Sequence, residues 1–217
     1  MGSVAIRELG LLNEQANEAV FGIPHPGTFV LNADGTVRSK RFYPSYRERD
    51  TGIGVLEHLL GVEAADRVGV NEQTSSGVMV RASLDKDSYA WGQRIWLTVE
   101  LDIPDGLHVY ARPTPEGYYP LNIALEAIER VEPGLAQFPE SRPFRVAGLD
   151  ESFHVFEGRV RVHMPVTFML VDGGAIDLVV NVSFQACSET ECLMPESVRF
   201  ALPISEQSLV ERPKPQT

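Results

Sequence analysis

Cysteine is scarce in this chain: two among 217 residues, at positions 187 and 192. A framework of disulfides is therefore excluded as the source of stability. With 43% hydrophobic residues the chain can bury a core without one. Basic residues are also few, 19 Lys and Arg against 30 Asp and Glu, for a formal charge of −11. Such a surface argues against a nucleic-acid backbone or an anionic membrane as partner. No apolar run approaches the roughly 18 residues of a spanning helix, so direct membrane insertion is not expected. The opening residues, Met1-Gly-Ser-Val-Ala-Ile-Arg-Glu, lack the charged region, apolar core and small-residue cleavage site of a signal peptide. The chain is expected to be either cytoplasmic, or a mature form or fragment of a longer protein.

What is present divides into two parts. Residues 4–20 place Leu9, Leu12, Ala16 and Ala19 or Val20 at helical spacing, interrupted by Gly10. Gly22-Ile-Pro-His-Pro-Gly27 is too rich in Pro and Gly for a regular element. After it, Thr28–Leu31 and Thr36–Phe42 read as a hairpin across the turn Asn32-Ala-Asp-Gly35. Asp50 or Thr51 is positioned to cap a helix carrying Ile53, Leu56 and Leu60, with Gly61 as its stop.

The run Gly22-Ile-Pro-His-Pro-Gly-Thr-Phe-Val-Leu-Asn-Ala-Asp-Gly35, with Arg41-Phe-Tyr and Tyr46-Arg-Glu-Arg, resembles the carboxy-terminal half of a peroxiredoxin-type redoxin over residues 4–61. The resemblance implies a partial thioredoxin-like α/β segment over residues 1–62, in which Pro26 would be the cis-proline facing an active-site cysteine. No cysteine precedes Cys187, however, so neither peroxidase nor CxxC chemistry is assigned to this part. A half-fold would leave a sheet edge uncovered, and the chain is expected to be a truncated version of a longer protein.

Residues 63–76 lose periodicity and end polar, as a linker does. From Gly77 the pattern becomes short strands: Val78–Leu84, Arg94–Ile103, Leu107–Ala111, Leu121–Val131, Phe153–Leu170, Ile176–Ala186 and Val198–Ile204. Turn signals separate them, and a polar tail occupies 206–217. The fold expected over 77–205 is a mainly β, immunoglobulin-like antiparallel β-sandwich. Trp91 and Trp96 read as core and edge packing. Asp85, Asp87, Asp102 and Asp105 match no calcium-loop spacing and read as solvated turns.

Cys187 and Cys192 flank the polar loop Ser188–Glu191 between two strands, a hairpin that brings them within disulfide reach, so bridged and open forms both stand. A ring so short would stabilise by only about 2 kcal/mol, which points to chemistry over mechanics. Pro195 removes a backbone donor just after Cys192 and keeps that sulfur near an edge. Glu189 and Glu191 disfavour a thiolate, so the resting thiols are expected to be poor nucleophiles until a partner polarises them.

Gly106-Leu-His-Val-Tyr110, Met164-Pro-Val-Thr and Val182-Ser-Phe-Gln-Ala-Cys187…Cys192-Leu-Met-Pro195-Glu resemble the amino-terminal domain of the thiol:disulfide interchange protein DsbD, over residues 77–205. That resemblance implies an immunoglobulin-like sandwich passing electrons from a membrane thiol carrier to thioredoxin-like partners outside the cytoplasm, with no cofactor. Four residues separate the cysteines here, where the best-known members have five. By the same resemblance Cys192 would form the mixed disulfide and Cys187 would resolve it. His108 and Tyr110 would line the site, and Phe144 or Phe153 would shield it from the cap loop. Three other readings remain open. The first is a structural disulfide in a binding module. The second is a metal site using the cysteines with His108, His154 or His163, and the third is a pair of inert thiols.

Overall fold

Residues Ala175–Phe184 bury Leu178, Val180, Val182 and Phe184 and leave the side chains between them half-buried. That period of two is what a strand needs when one face meets a core and the other meets water. The same alternation runs through Glu196–Glu206, where Val198, Phe200, Leu202 and Ile204 point inward. The computed structural model describes residues 4–13, 22–43, 48–62, 67–145, 152–169 and 174–207. In chain order these form α1 (Val4–Glu8), β1 (Gly27–Leu31), β2 (Val37–Phe42), β3 (Arg49–Asp50), α2 (Gly52–Leu60), β4 (Val68–Ser75), β5 (Val78–Leu84) and β6 (Ser88–Tyr89). There follow β7 (Gln93–Ile103), β8 (His108–Tyr110), β9 (Asn122–Leu125), β10 (Val131–Pro133), β11 (Arg142–Arg145) and β12 (Ser152–Phe156). The series closes with β13 (Gly158–Phe168), β14 (Ala175–Phe184), β15 (Ala186–Cys187) and β16 (Glu196–Glu206).

One sheet runs β10-β13-β7-β5-β4, with β3 added beside β7; the facing sheet runs β6-β16-β14-β9. Leu97, Val99, Leu101 and Val162 of the first meet Val180, Val182, Phe200 and Leu202 of the second in one continuous core. Each such side chain contributes about 1.5–3 kcal/mol on full burial. The expected mainly β sandwich is thus present, antiparallel in its main pairs but with the short β6 parallel to β16. A third, smaller sheet, β11-β12-β8-β15, holds the cysteines. No helix among the described residues is long and apolar enough to cross a membrane.

Several boundaries differ from expectation. The strand expected over Leu121–Val131 is two, β9 pairing β14 and β10 pairing β13, so the chain changes sheets between them, passing Arg130 at φ 62°. The strand expected over Phe153–Leu170 likewise divides at Gly158, φ 61°, into β12 of the small sheet and β13 of the large one. Of the linker expected at 63–76, residues 68–75 form β4, paired with β5, and 63–66 lie outside the described residues. The polar tail expected at 206–217 begins inside β16, which ends at Glu206, and 208–217 lie outside.

In the first 62 residues the hairpin appears as β1 and β2, and α2 is capped by Thr51, whose hydroxyl accepts from the Gly54 amide at 3.0 Å, and by Gly61 at φ 67°. Of the helix expected over 4–20, the described residues 4–13 show α1 alone. Gly10 takes φ 67° in the turn that follows, and Ala16, Ala19 and Val20 lie outside the described residues. The partial thioredoxin-like segment expected here is not shown: among the described residues β1 and β2 pair only with each other. Pro26 is not a cis-proline. The one cis peptide among the described residues is Arg112–Pro113, and the Pro26 carbonyl accepts from the Tyr43 amide, extending the hairpin ladder.

This first segment packs on the outer face of β7 and β13. Trp96 of β7 points away from the sandwich core yet is 1% exposed. His58 of α2 stacks on it at 3.6 Å, Arg41 of β2 lies over the ring at 5.5 Å, and Gly54 lets the helix approach. Arg94 pairs with Glu48, and Asp50 accepts from the Tyr43 hydroxyl. Asp85 is no solvated turn: it is buried, accepts from the Trp96 amide at 2.9 Å and from the Thr51 hydroxyl, and burial raises its carboxyl. Asp102 is also no turn residue; it sits in β7 between Arg81 at 2.6 Å and Arg159 at 3.1 Å. Asp87 and Asp105 are exposed. Trp91 is 44% exposed, an edge residue, as Trp96 is a buried one.

Candidate functional site

The sandwich strand β14 gives way at Gln185 to the short β15, which leaves β16 and pairs with β8 instead. This switch carries Cys187 into the small sheet, opposite His108. The polar loop then closes on itself. The Ser188 amide donates to the Glu191 carbonyl at 2.8 Å, and the Ser188 hydroxyl accepts from the Thr190 and Glu191 amides at 3.2 and 3.1 Å. The Leu193 amide returns to the Ala186 carbonyl at 2.9 Å. Cys187 and Cys192 consequently face each other as an antiparallel bridge, Cα atoms 4.0 Å apart, joined by a disulfide. Pro195 is exposed and β16 begins immediately after it, so regular pairing resumes only beyond Cys192.

The two sulfurs occupy different environments. Cys187 is fully buried in a cluster with Tyr110, Phe153 and Val155, flanked by Tyr118 and Phe144. Cys192 is exposed, beside Leu193 and Met194, the latter 79% exposed. Tyr110 links them: its ring packs in the Cys187 cluster while its hydroxyl lies 3.5 Å from Cys192 Sγ. A disulfide sulfur has no proton, so the hydroxyl is the donor. Burial raises the Tyr110 phenol, which keeps that proton in place at neutral pH.

His108 is 2% exposed, with its ring 5.5 Å from Tyr110 and 4.3 Å from Phe144. Its Nε2 is buried and makes no hydrogen bond to the described residues. Burial lowers its titration below the ordinary value, against the pull of Glu157 and Glu189, so the ring is neutral. Of the two phenylalanines expected to shield the site, Phe144 lies half-buried over His108. Its cross-strand partner Phe153 is interior, 4.8 Å from Tyr118. The loop joining them, 146–151, lies outside the described residues. Glu189 and Glu191 point into water, where screening weakens their influence on the sulfurs. The burial of Cys187 among aromatic rings is the stronger reason for a quiet thiol on that side.

The disulfide removes both sulfurs from the metal-ligand reading. His154 Nδ1 is 3.3 Å from the Ser141 hydroxyl, and His163 sits elsewhere, beside His58. Two residues were not anticipated. Tyr118 completes the aromatic wall, with no local signal beyond its being an aromatic in a Pro- and Gly-rich loop. Gln185 donates to the Leu193 carbonyl at 3.0 Å and ties the loop's exit to its entry; its place within Phe-Gln-Ala-Cys was the available signal.

No curated protein matches the chain. Among solved structures it is similar to the N-terminal periplasmic domain of ScsB from Proteus mirabilis. The identity is 16%, 62% of this chain and 50% of that one are covered, and the TM-score is 0.45. The chain therefore spans about half the length of that domain. It is also similar to the reduced N-terminal domain of Neisseria meningitidis DsbD, at 15% identity, coverage of 50% and 77%, and TM-score 0.36. A complex of that domain with the N-terminal domain of PilB from the same organism gives 14%, 49% and 73%, and 0.36. The model for the family "Thiol:disulfide interchange protein DsbD, N-terminal" matches residues 81–204, more than half of the chain and inclusive of both cysteines, and the chain belongs to that family.

Proposed function

We propose that this chain performs thiol–disulfide exchange with a thioredoxin-like protein, with Cys192 as the sulfur attacked and Cys187 as the one that resolves. The family takes part in thiol–disulfide electron transfer, and a cysteine pair is present. The observation that carries the assignment is the asymmetry of the pair: Cys192 exposed on the loop, Cys187 enclosed.

In the reducing direction a partner thiolate attacks Cys192 Sγ. The Cys187–Cys192 bond breaks as the new S–S bond forms, and the electron pair leaves on Cys187 Sγ, which takes up a proton. The partner's second thiolate then attacks its own half of the mixed disulfide. Cys192 departs as a thiolate, the partner is left oxidised and this chain reduced. The Tyr110 hydroxyl donates to Cys192 Sγ as that charge develops. The reverse sequence passes the same two electrons onward. His108, Tyr110 and Phe144 line the pair and hold bulk water and small oxidants away from Cys187.

Trapping tests this. Cys187→Ser, mixed with an oxidised thioredoxin-like protein, accumulates a mixed disulfide through Cys192, whereas Cys192→Ser does not. Absence of any adduct with Cys187→Ser defeats the proposal. A reduction potential near about −200 mV fits exchange, and one far below roughly −300 mV marks a structural bond.

A further inference from the structure

We propose a second site, unrelated to the disulfide, in which His58, His163 and Glu57 bind a zinc-class divalent ion and pin α2 to β13. A ring nitrogen of each histidine and a carboxylate oxygen of Glu57 lie within 4.8 Å of one another. In sequence His163 lies 105 residues beyond His58 and 106 beyond Glu57; only the packing of α2 on the sandwich brings them together.

The chemistry of each group suits the role. His58 is held by its stack on Trp96 and meets the His163 ring edge-on at 4.8 Å, while its Nε2 is buried without a hydrogen bond to the described residues. A buried orphan nitrogen of this kind is destabilising, and coordination to a Lewis acid satisfies its lone pair. His163 Nδ1 stands 3.0 Å from the Thr98 hydroxyl, a contact that fixes the ring and leaves Nε2 for an ion, as outer partners of metal-bound histidines do. Glu57 meets Arg67 through both oxygens at 2.7 Å, and a carboxylate with two such contacts still has lone pairs for a single bond to a metal.

Arginines surround the cluster, but each is matched. Arg67 pairs with Glu57, Arg41 with Asp50 and Arg161 with Glu100, so each of these arginines has a carboxylate beside it, and the Glu57 charge would be shared between Arg67 and the ion. A cavity of about 250 Å³ bordered by Glu57, Gly61, Val62, Arg161 and His163 leaves room for a water as fourth ligand. Two imidazoles and one carboxylate are a zinc-type donor set; calcium and magnesium prefer oxygen alone. Closing ligand atoms from 4.8 Å to tetrahedral spacing requires side-chain rotation within a part of the chain that α2 already positions.

The test uses the oxidised, chelator-treated full chain, in which the cysteines are bonded and unable to compete. Zinc titrated by calorimetry binds with one-to-one stoichiometry. His58→Gln and His163→Gln each weaken it by roughly a hundredfold, whereas His108→Gln and His154→Gln leave it unchanged. Both weakening substitutions also alter packing, so cobalt is added to the unaltered chain as an independent readout; an intense four-coordinate visible spectrum is expected. Absence of binding, an affinity in the His58 and His163 variants equal to that of the unaltered chain, or only a weak six-coordinate cobalt spectrum overturns the site. None of these outcomes bears on trapping through Cys192.

Discussion

The hydroxyl of Tyr110 lies 3.5 Å from Sγ of Cys192 while the ring of the same residue walls in Cys187. One side chain therefore serves both sulfurs, shielding the buried one and donating to the exposed one. Tyr110→Phe preserves the wall and deletes the donor. Loss of a hydrogen bond to a developing thiolate is worth about 1.5 kcal/mol, so exchange through Cys192 slows roughly tenfold. Stopped-flow exchange with a thioredoxin-like partner measures it, with stability as the control. An unchanged rate removes Tyr110 from the mechanism.

The disulfide closes a ring too small to restrain the unfolded chain strongly. Its reduction lowers stability by about 2 kcal/mol and leaves the sandwich folded, because the continuous core lies in the two large sheets. Urea denaturation with and without reductant, followed by circular dichroism, gives the difference. Unfolding on reduction would make the bond a structural staple.

His108 ties stability to pH. Burial holds it below the 6.5 of a free imidazole, Arg142 pushing the same way and Glu157 and Glu189 opposing. Between the folded and unfolded values the unfolded chain binds the proton, so stability rises with pH, is fully present above about 6.5, and is lost as pH falls below it. His58 and His163 shift in the same direction, so the readout is a difference between proteins. His108→Phe loses less stability than the unaltered chain between about pH 7 and pH 5; equal losses would place the proton elsewhere.

Gly54 marks the closest approach of α2 to β7. A Cβ there would stand 2.6 Å from Cδ1 and Nε1 of Trp96 and 3.0 Å from the Thr51 hydroxyl. Alanine improves an exposed helix by up to about 1 kcal/mol, but overpacking costs about 1–3 kcal/mol, so Gly54→Ala destabilises the docked segment. The Trp96 indole resonance shifts and the denaturation midpoint falls. A stabilised variant would mean that α2 does not rest on Trp96.

Much of the sandwich was legible because strand formation is a local matter of alternation. The alternation over Val78–Leu84 coincides with β5, and the caps of α2 are as local, with Gly61 at the stop and the structure choosing Thr51 over Asp50 at the start. The motif from Phe184 to Pro195 carried the cysteine hairpin, since its loop closes through bonds among residues only a few positions apart.

Tertiary structure alone decided the rest. The change of sheet between β9 and β10, and between β12 and β13, depends on which distant strand each half pairs with, and alternation is blind to partners. A pattern resembling half a redoxin lies against Trp96, and among the described residues its hairpin joins no wider sheet. The enclosure of Cys187 beside an open Cys192, and the meeting of His58 with His163, also come from packing across the chain. The sequence by itself determined that two cysteines would meet at a strand end, because their separation is short. Which sulfur is buried and which stays exposed was decided by the aromatic residues that β8, β11 and β12 bring from elsewhere, because burial is a property of neighbours and not of spacing.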